Sequence, residues 1–285
     1  MKKVVFISIF AVCLLSCNSN RYAYVDVASS ERTAQELADG FRSVPDSVSD
    51  GRAIFLMSQG IPVADILFYK GRLENPSLPD IPYGYDYAYI TESQLLDELE
   101  VGYGRLYTKS GINARVLVIL DKCVTVAEIS KISKLAQDGA MIGGVRPTRC
   151  LDSADSLVFM RNVDKVWQNG NVMSEKTLKS ILRAARVPQD EKTKTDSLIF
   201  SHRHLPDAEI YRICNPTSRN ERIRVKFRVT GRRPMLWNPD TGAIEPLSYN
   251  IKKKGTRVRF NIVPNDDIFI VFGPYADKKK LKISK

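Results

Sequence analysis

The residues best suited to chemistry fall in a few short stretches. Tyr85, Asp86 and Tyr87, with Tyr89 just beyond, set aromatic rings around one carboxylate. Aromatic faces beside a carboxylate suit the CH face and the hydroxyls of a sugar, although such rings also pack on their own domain. Arg146-Pro147-Thr148-Arg149 follows Gly143-Gly144, so Arg149 is a candidate contact for an anion or a sugar hydroxyl. The glycine spacing does not match a phosphate-binding fingerprint, and a structural turn is the favoured reading. His202 and His204 lie two apart and point to the same side of a strand, with Arg203 on the opposite face. No third ligand of the right type accompanies them. They read as part of a structural strand at a domain junction, and no metal or cofactor is expected.

Carboxylates are the other candidates. A pair that hydrolyses a glycoside with inversion stands roughly 6.5–9.5 Å apart, leaving room for water. Glu74, Asp80, Asp86 and Glu92 lie in or next to the same loop. Spacing alone places no pair among them, and Asp80 and Asp86 read as loop formers. Cys123 follows a strand but has no glycine-rich elbow, which speaks against a nucleophilic cysteine.

These residues must be positioned by an α/β unit and then an antiparallel one. Val63–Tyr69 and Arg115–Leu120 are nearly continuous apolar runs, as in parallel strands buried on both faces. Parallel neighbours need a crossover, here a helix. Ligands in such sheets sit beyond the carboxyl ends of the strands, so the loop Lys70–Ile90 is expected at any site. Capping boxes at Thr91/Gln94 and Thr125/Glu128 start two helices, Gln94–Leu99 and one with Ile129, Ile132, Leu135 and Ala136 on one face. Further helices are predicted at Asp155–Trp167 and Ser174–Arg186. From Asp196 the apolar period changes to two. In Arg222–Val229 the side chains of Ile223, Val225, Phe227 and Val229 alternate with Arg222, Arg224, Lys226 and Arg228, predicting a half-buried strand with a solvated basic face. The number and spacing of such strands predict a small β-sandwich.

The first residues bear on location. Lys2 and Lys3 precede the apolar run Val4–Leu15, which ends Leu14-Leu15-Ser16-Cys17. This resembles a bacterial lipobox, implying a signal peptide over 1–16, lipid on Cys17 and a bacterial envelope protein held to a membrane, periplasmic or associated with the outer membrane. The run is too short to span a bilayer comfortably. Residues 17–52 are expected as a tether with a short helix around Glu31–Phe41. Residues 53–190 form the α/β domain, 196–274 the sandwich, and 275–285 a basic tail. With 43 Lys and Arg against 32 Asp and Glu, the 285-residue chain has a formal charge of +11, but the basic residues are dispersed and no nucleic-acid motif is present. Beyond Cys13 and Cys17 only Cys123, Cys150 and Cys214 remain, neither a disulfide framework nor a zinc pattern. Buried thiols are the default reading, and a single bridge stays open.

Six stretches in order carry a resemblance: SQGIPVADILFYKG, LPDIPYGYDYAYI, RVLVIL, GGVRPTR, FSHRHLPDAEIYRICNPT and FRVTGRRPMLWNPDTGAIEPL. Together they resemble the region after the catalytic barrel in glycoside hydrolase family 106, the α-L-rhamnosidase family, from about Phe55 to Phe272. The resemblance implies a (β/α)₈ barrel bearing two glutamates and a calcium site, then a flavodoxin-like parallel-sheet domain, then β-sandwich modules. In that architecture the Tyr85–Tyr87 loop would reach towards the barrel's pocket. Only about forty residues separate the leader from Gly60, whereas a barrel needs roughly 200 or more. The expected protein is therefore a lipid-anchored accessory portion or remnant of a rhamnosidase-type hydrolase, inactive alone. It would bind glycan through Tyr85, Asp86, Tyr87 and Arg149, or dock onto a separately encoded barrel. The alternative is a glycoside hydrolase active in its own right through its strand-end loops.

Overall fold

The computed structural model describes residues 33–48, 50–152, 156–174, 176–195 and 197–275. The leader, Cys17 and residues 276–285 lie outside them. The protein has mixed α/β architecture built on a five-stranded parallel sheet and antiparallel sheets of six and four strands.

The parallel sheet has five strands, ordered Val172–Ser174, Met141–Gly144, Val116–Ile119, Ile66–Tyr69 and Tyr87–Ile90 from edge to edge. Its two central strands are buried at every position. On one face Leu67, Tyr69, Leu117 and Ile119 meet Ile129 and Ile132 of the helix Val126–Gln137, and Phe159 and Val163 of the helix Ser156–Trp167. On the other, Ile66, Phe68, Val116 and Val118 meet Leu178, Ile181 and Leu182 of the helix Leu178–Ala184. Helices on both faces explain the unbroken apolar runs. Both predicted capping boxes form. The first opens a π-helical turn, Gln94–Glu98, in which Leu99 N–H donates to Gln94 O. The last helix starts later than expected because Thr177 caps it, and Val172–Ser174 is an edge strand instead. Tyr87–Ile90, expected as loop, is the opposite edge strand. Cys123 and Cys150 are free thiols, and Cys214 is buried.

The two antiparallel sheets face each other. Phe200, Tyr211, Ile213, Ile268, Ile270 and Phe272 of one sheet pack on Ile223, Val225, Phe227, Val258, Phe260 and Ile262 of the other. Alternation holds on the outer side, where Arg222 and Arg224 are exposed. Two short segments from outside this region extend the sheets. Ile61–Pro62 pairs with Arg203–His204, and Glu191–Lys192 pairs with Lys226–Phe227. The parallel sheet is thus entered and left through strands belonging to the antiparallel sheets. Val63 N–H still donates to His202 O, which is why the first parallel strand begins at Ile66 rather than Val63.

Two helices from the stretch expected as a tether pack on the fold, although the residues between them are largely exposed. The helix Ala34–Ser43, capped by Thr33 and Glu36, and the helix Gly51–Met57 cover the outer face of the six-stranded sheet. Leu37, Phe41 and Leu56 meet Ile210, Trp237, Phe269 and Val271, with the Phe41 and Trp237 rings 5.0 Å apart. Truncating a buried phenylalanine costs about 3–5 kcal/mol. Phe41→Ala is therefore expected to lower stability by that order in denaturant unfolding, whereas a loose tether would leave the midpoint unchanged.

Candidate functional site

A single arginine organises the junction between the two regions. Arg228 follows the strand Glu221–Phe227, at a position whose parity predicts solvent. Its guanidinium instead donates to both oxygens of Asp65, at 2.9 and 3.3 Å, to Asp190 Oδ1 at 3.0 Å and to Pro188 O at 2.9 Å. Asp65 precedes the first parallel strand, and Asp190 precedes the return segment Glu191–Lys192. Asp190 also accepts from Tyr211 Oη at 3.1 Å and lies 2.7 Å from His202 Nδ1. His202 stacks on Tyr211 with ring centroids 3.9 Å apart, and its Nε2 is 3.0 Å from Glu209, which also holds His204. Acidic and basic side chains alternate from Asp65 to His204. Both histidines lie within hydrogen-bond distance of carboxylates, and Arg203, on the other side, donates to Gln59 O and Gly60 O.

Burial sets the electrostatics against the neighbouring charges. Burial pushes Asp65 up to about 6, because it outweighs the nearby Arg228. Burial opposes the charged form of His202, but Asp190 and Glu209 outweigh it and hold the ring at about 10. Asp190 sits below the ordinary carboxylate range: burial raises it, but His202, Arg228 and Tyr211 more than compensate. Glu209 is lowered in the same way by the two histidines.

These groups border a cleft of about 540 Å³, lined from the parallel-sheet side by Asp65, Arg105, Arg115 and Arg186 and from the antiparallel side by His202, His204, Glu209 and Arg228. The cleft faces the amino ends of the parallel strands, since Asp65 and Arg115 immediately precede two of them. The expectation placed a site at the carboxyl ends. There the chain's own groups fill the crevice: Glu128 accepts from Tyr69 and Arg72, and Asp121 accepts from the N–H groups of Arg72 and Cys123.

The predicted sugar contacts are not gathered at one place. Tyr85 and Asp86 lead into the strand Tyr87–Ile90 and so lie at the amino end of the sheet. Tyr85 Oη donates to Val187 O at 3.1 Å. Asp86 is only 4 % exposed, and its carbonyl accepts from the N–H groups of Asp65 and Ile66. Tyr87 packs edge-on against Phe68 and Tyr89. Arg149 is exposed at the opposite end, in a short pairing with Cys123 beyond the carboxyl end of Val116–Ile119. Gly84 at φ +84° belongs to the junction, where a Cβ would lie 2.3 Å from Glu191 O. Among the described residues, Asp86, Asp190 and Glu191 bring carboxylate oxygens within 4.8 Å of one another, a spacing that suits a hard cation. Both Asp190 oxygens already serve Arg228, Tyr211 and His202.

A histidine held above its ordinary 6.5 stabilises the fold fully below pH 6.5, and that contribution is lost as pH rises through about 10. Nitrogen NMR at about pH 8 is expected to find protons on both ring nitrogens of His202. The stability deficit of His202→Gln should shrink as pH is raised through about 10. A singly protonated ring at about pH 8, or a deficit independent of pH, would contradict the network.

The family model described as α-L-rhamnosidase, glycoside hydrolase 106, matches residues 49–251. A putative β-glucuronidase of Formosa agariphila is 28% identical over 249 residues, covering 82% of this chain and 21% of that protein. The structure of a rhamnosidase from Novosphingobium sp. PP1Y superposes with a TM-score of 0.73 at 26% identity, covering 82% of this chain and 25% of that one. The chain thus spans about a fifth to a quarter of the length of these relatives. It belongs to the glycoside hydrolase 106 family, over a region that makes up only part of its larger relatives.

Proposed function

We propose that this chain supplies the supporting modules of a rhamnosidase-type glycoside hydrolase and is inactive by itself. The parallel unit is read as a flavodoxin-like domain, because its strands, numbered along the chain, run 2-1-3-4-5 across the sheet. The paired antiparallel sheets are read as a β-sandwich. Its role is to bind glycan or to dock onto a catalytic barrel acting on an α-L-rhamnoside, with lipid on Cys17 holding it at the bacterial envelope. The observation that carries this reading is the state of the cleft's acids. Asp65, Asp190 and Glu209 all have cationic partners, so none is poised as a free acid or base opposite another.

The competing reading is a hydrolase that works alone, and the raised carboxyl of Asp65 beside the cleft favours it. The two separate on an aryl α-L-rhamnoside. The purified chain is expected to release no more aryl alcohol than its Asp65→Asn variant. Turnover that Asp65→Asn abolishes would overturn the accessory reading and establish the second.

A further inference from the structure

The cleft holds more cationic character than its acids can match. Four arginines and the doubly hydrogen-bonded His202 face three carboxylates, Asp65, Asp190 and Glu209. Those carboxylates are paired with Arg228 and the two histidines. Among the described residues Arg105, Arg115 and Arg186 have no carboxylate partner. Arg105 donates to the side-chain oxygen of Asn113, and Arg115 to Ala185 O, so both are steadied by neutral acceptors that leave their charge uncompensated. Arg186 follows the helix Leu178–Ala184 in the left-handed region, at φ +53°, and its N–H donates to Arg183 O. Three arginines from three separate chain segments thus line one concavity. The guanidinium fork matches an oxyanion with two parallel hydrogen bonds, and its charge counts for more in a concave site than on an open surface.

The rest of the lining argues about what carries that oxyanion. Tyr211, the aromatic residue in the lining, is fully buried against His202 and offers no face for stacking a neutral ring. Ile61, Pro62, Val63, Val187, Pro188 and Val229 provide an apolar wall for the CH face of a sugar, and Glu209 with the half-exposed His204 provides hydroxyl partners. A volume of about 540 Å³ is in the range of small-ligand sites. We propose that this amino-end cleft is a binding site for an anionic saccharide, in which Arg105, Arg115 and Arg186 receive a carboxylate or sulfate group while the rim receives ring hydroxyls. The proposal rests on the glycan-binding reading and specifies its place and its ligand class. It moves the sugar site away from the Tyr85–Tyr87 and Arg149 stretches to the junction of the two regions.

The test is an NMR titration of the full chain with glucuronate, glucose 6-sulfate, glucose and inorganic phosphate, repeated on the double variant Arg105→Ala/Arg186→Gly. Glycine relieves the left-handed backbone at residue 186, and thermal unfolding of the variant checks that the fold is kept. Glucuronate, glucose 6-sulfate or both are expected to saturate the cleft at least about tenfold more tightly than glucose or phosphate. The double variant should lose about tenfold or more of that affinity at an unchanged unfolding temperature. Which of the two sugars binds more tightly tells carboxylate from sulfate. The proposal would be overturned by phosphate binding as tightly as the charged sugars, by a double variant that is folded and retains their affinity, or by no saturation by either. Glucose binding as tightly as glucuronate would also overturn it while leaving the glycan-binding reading intact.

Discussion

Arg228 holds two carboxylates that would otherwise be stranded out of water. Asp65 stands where the chain enters the parallel sheet and Asp190 where it leaves, and one planar guanidinium spans both. Removing water from charges costs several kcal/mol each, which is recovered only when the remaining hydrogen-bonding capacity is also filled. Here it is filled: Tyr211 and His202 complete Asp190, and Pro188 O takes a further donor of Arg228. The backbone repeats the link, with Arg228 N–H donating to Asp190 O and Asp190 N–H to Gly84 O. The position of the parallel sheet against the antiparallel pair follows from this knot.

Its placement also decides where a ligand can approach. In doubly wound sheets the crevice outside the carboxyl ends usually receives the ligand. That end is closed here by a network of the protein's own making: Glu128 is fully buried under Tyr69 and Arg72, and a side chain at Gly71 would collide with Asp121. The amino ends, normally the quiet side, are held open by the junction. The two connecting segments enter opposite antiparallel sheets, and the cleft lies between their roots. Chain connectivity, rather than sheet topology, thus sets the location of the cleft.

Much of this arrangement is legible in the residues. The runs Ile66–Tyr69 and Val116–Ile119 announce a sheet covered on both faces, and the capping boxes at Thr91 and Thr125 form as their spacing demands. The apolar run from Ile268 to Phe272 carries the same message of double burial. Phe269 and Val271 point away from the paired sheets and require a cover, which the helices between 34 and 57 provide. Those helices look like a tether only while that requirement goes unnoticed. Arg228 illustrates the limit of local patterning. It keeps the parity of Arg222 and Arg224, which are solvated, but the parallel sheet lies over the end of its strand. Asp65 was the available signal, an acid at the head of an otherwise apolar run, and such an acid needs a partner that alternation cannot name. Tyr87–Ile90 escapes notice because it follows a proline-rich loop and sits at an edge, where aromatic side chains serve a strand and a loop equally well.

Because Arg228 joins them, the two regions are expected to unfold as one body. Calorimetry of the wild type and of Arg228→Met tests it most directly, since methionine keeps much of the side chain's bulk and removes every donor. The expected result is one cooperative transition in the wild type and, in the variant, an earlier separate transition of the parallel-sheet region, reflecting a loss of about 3–5 kcal/mol when a buried pair is broken. A single transition in the variant within about a degree of the wild type would contradict the account.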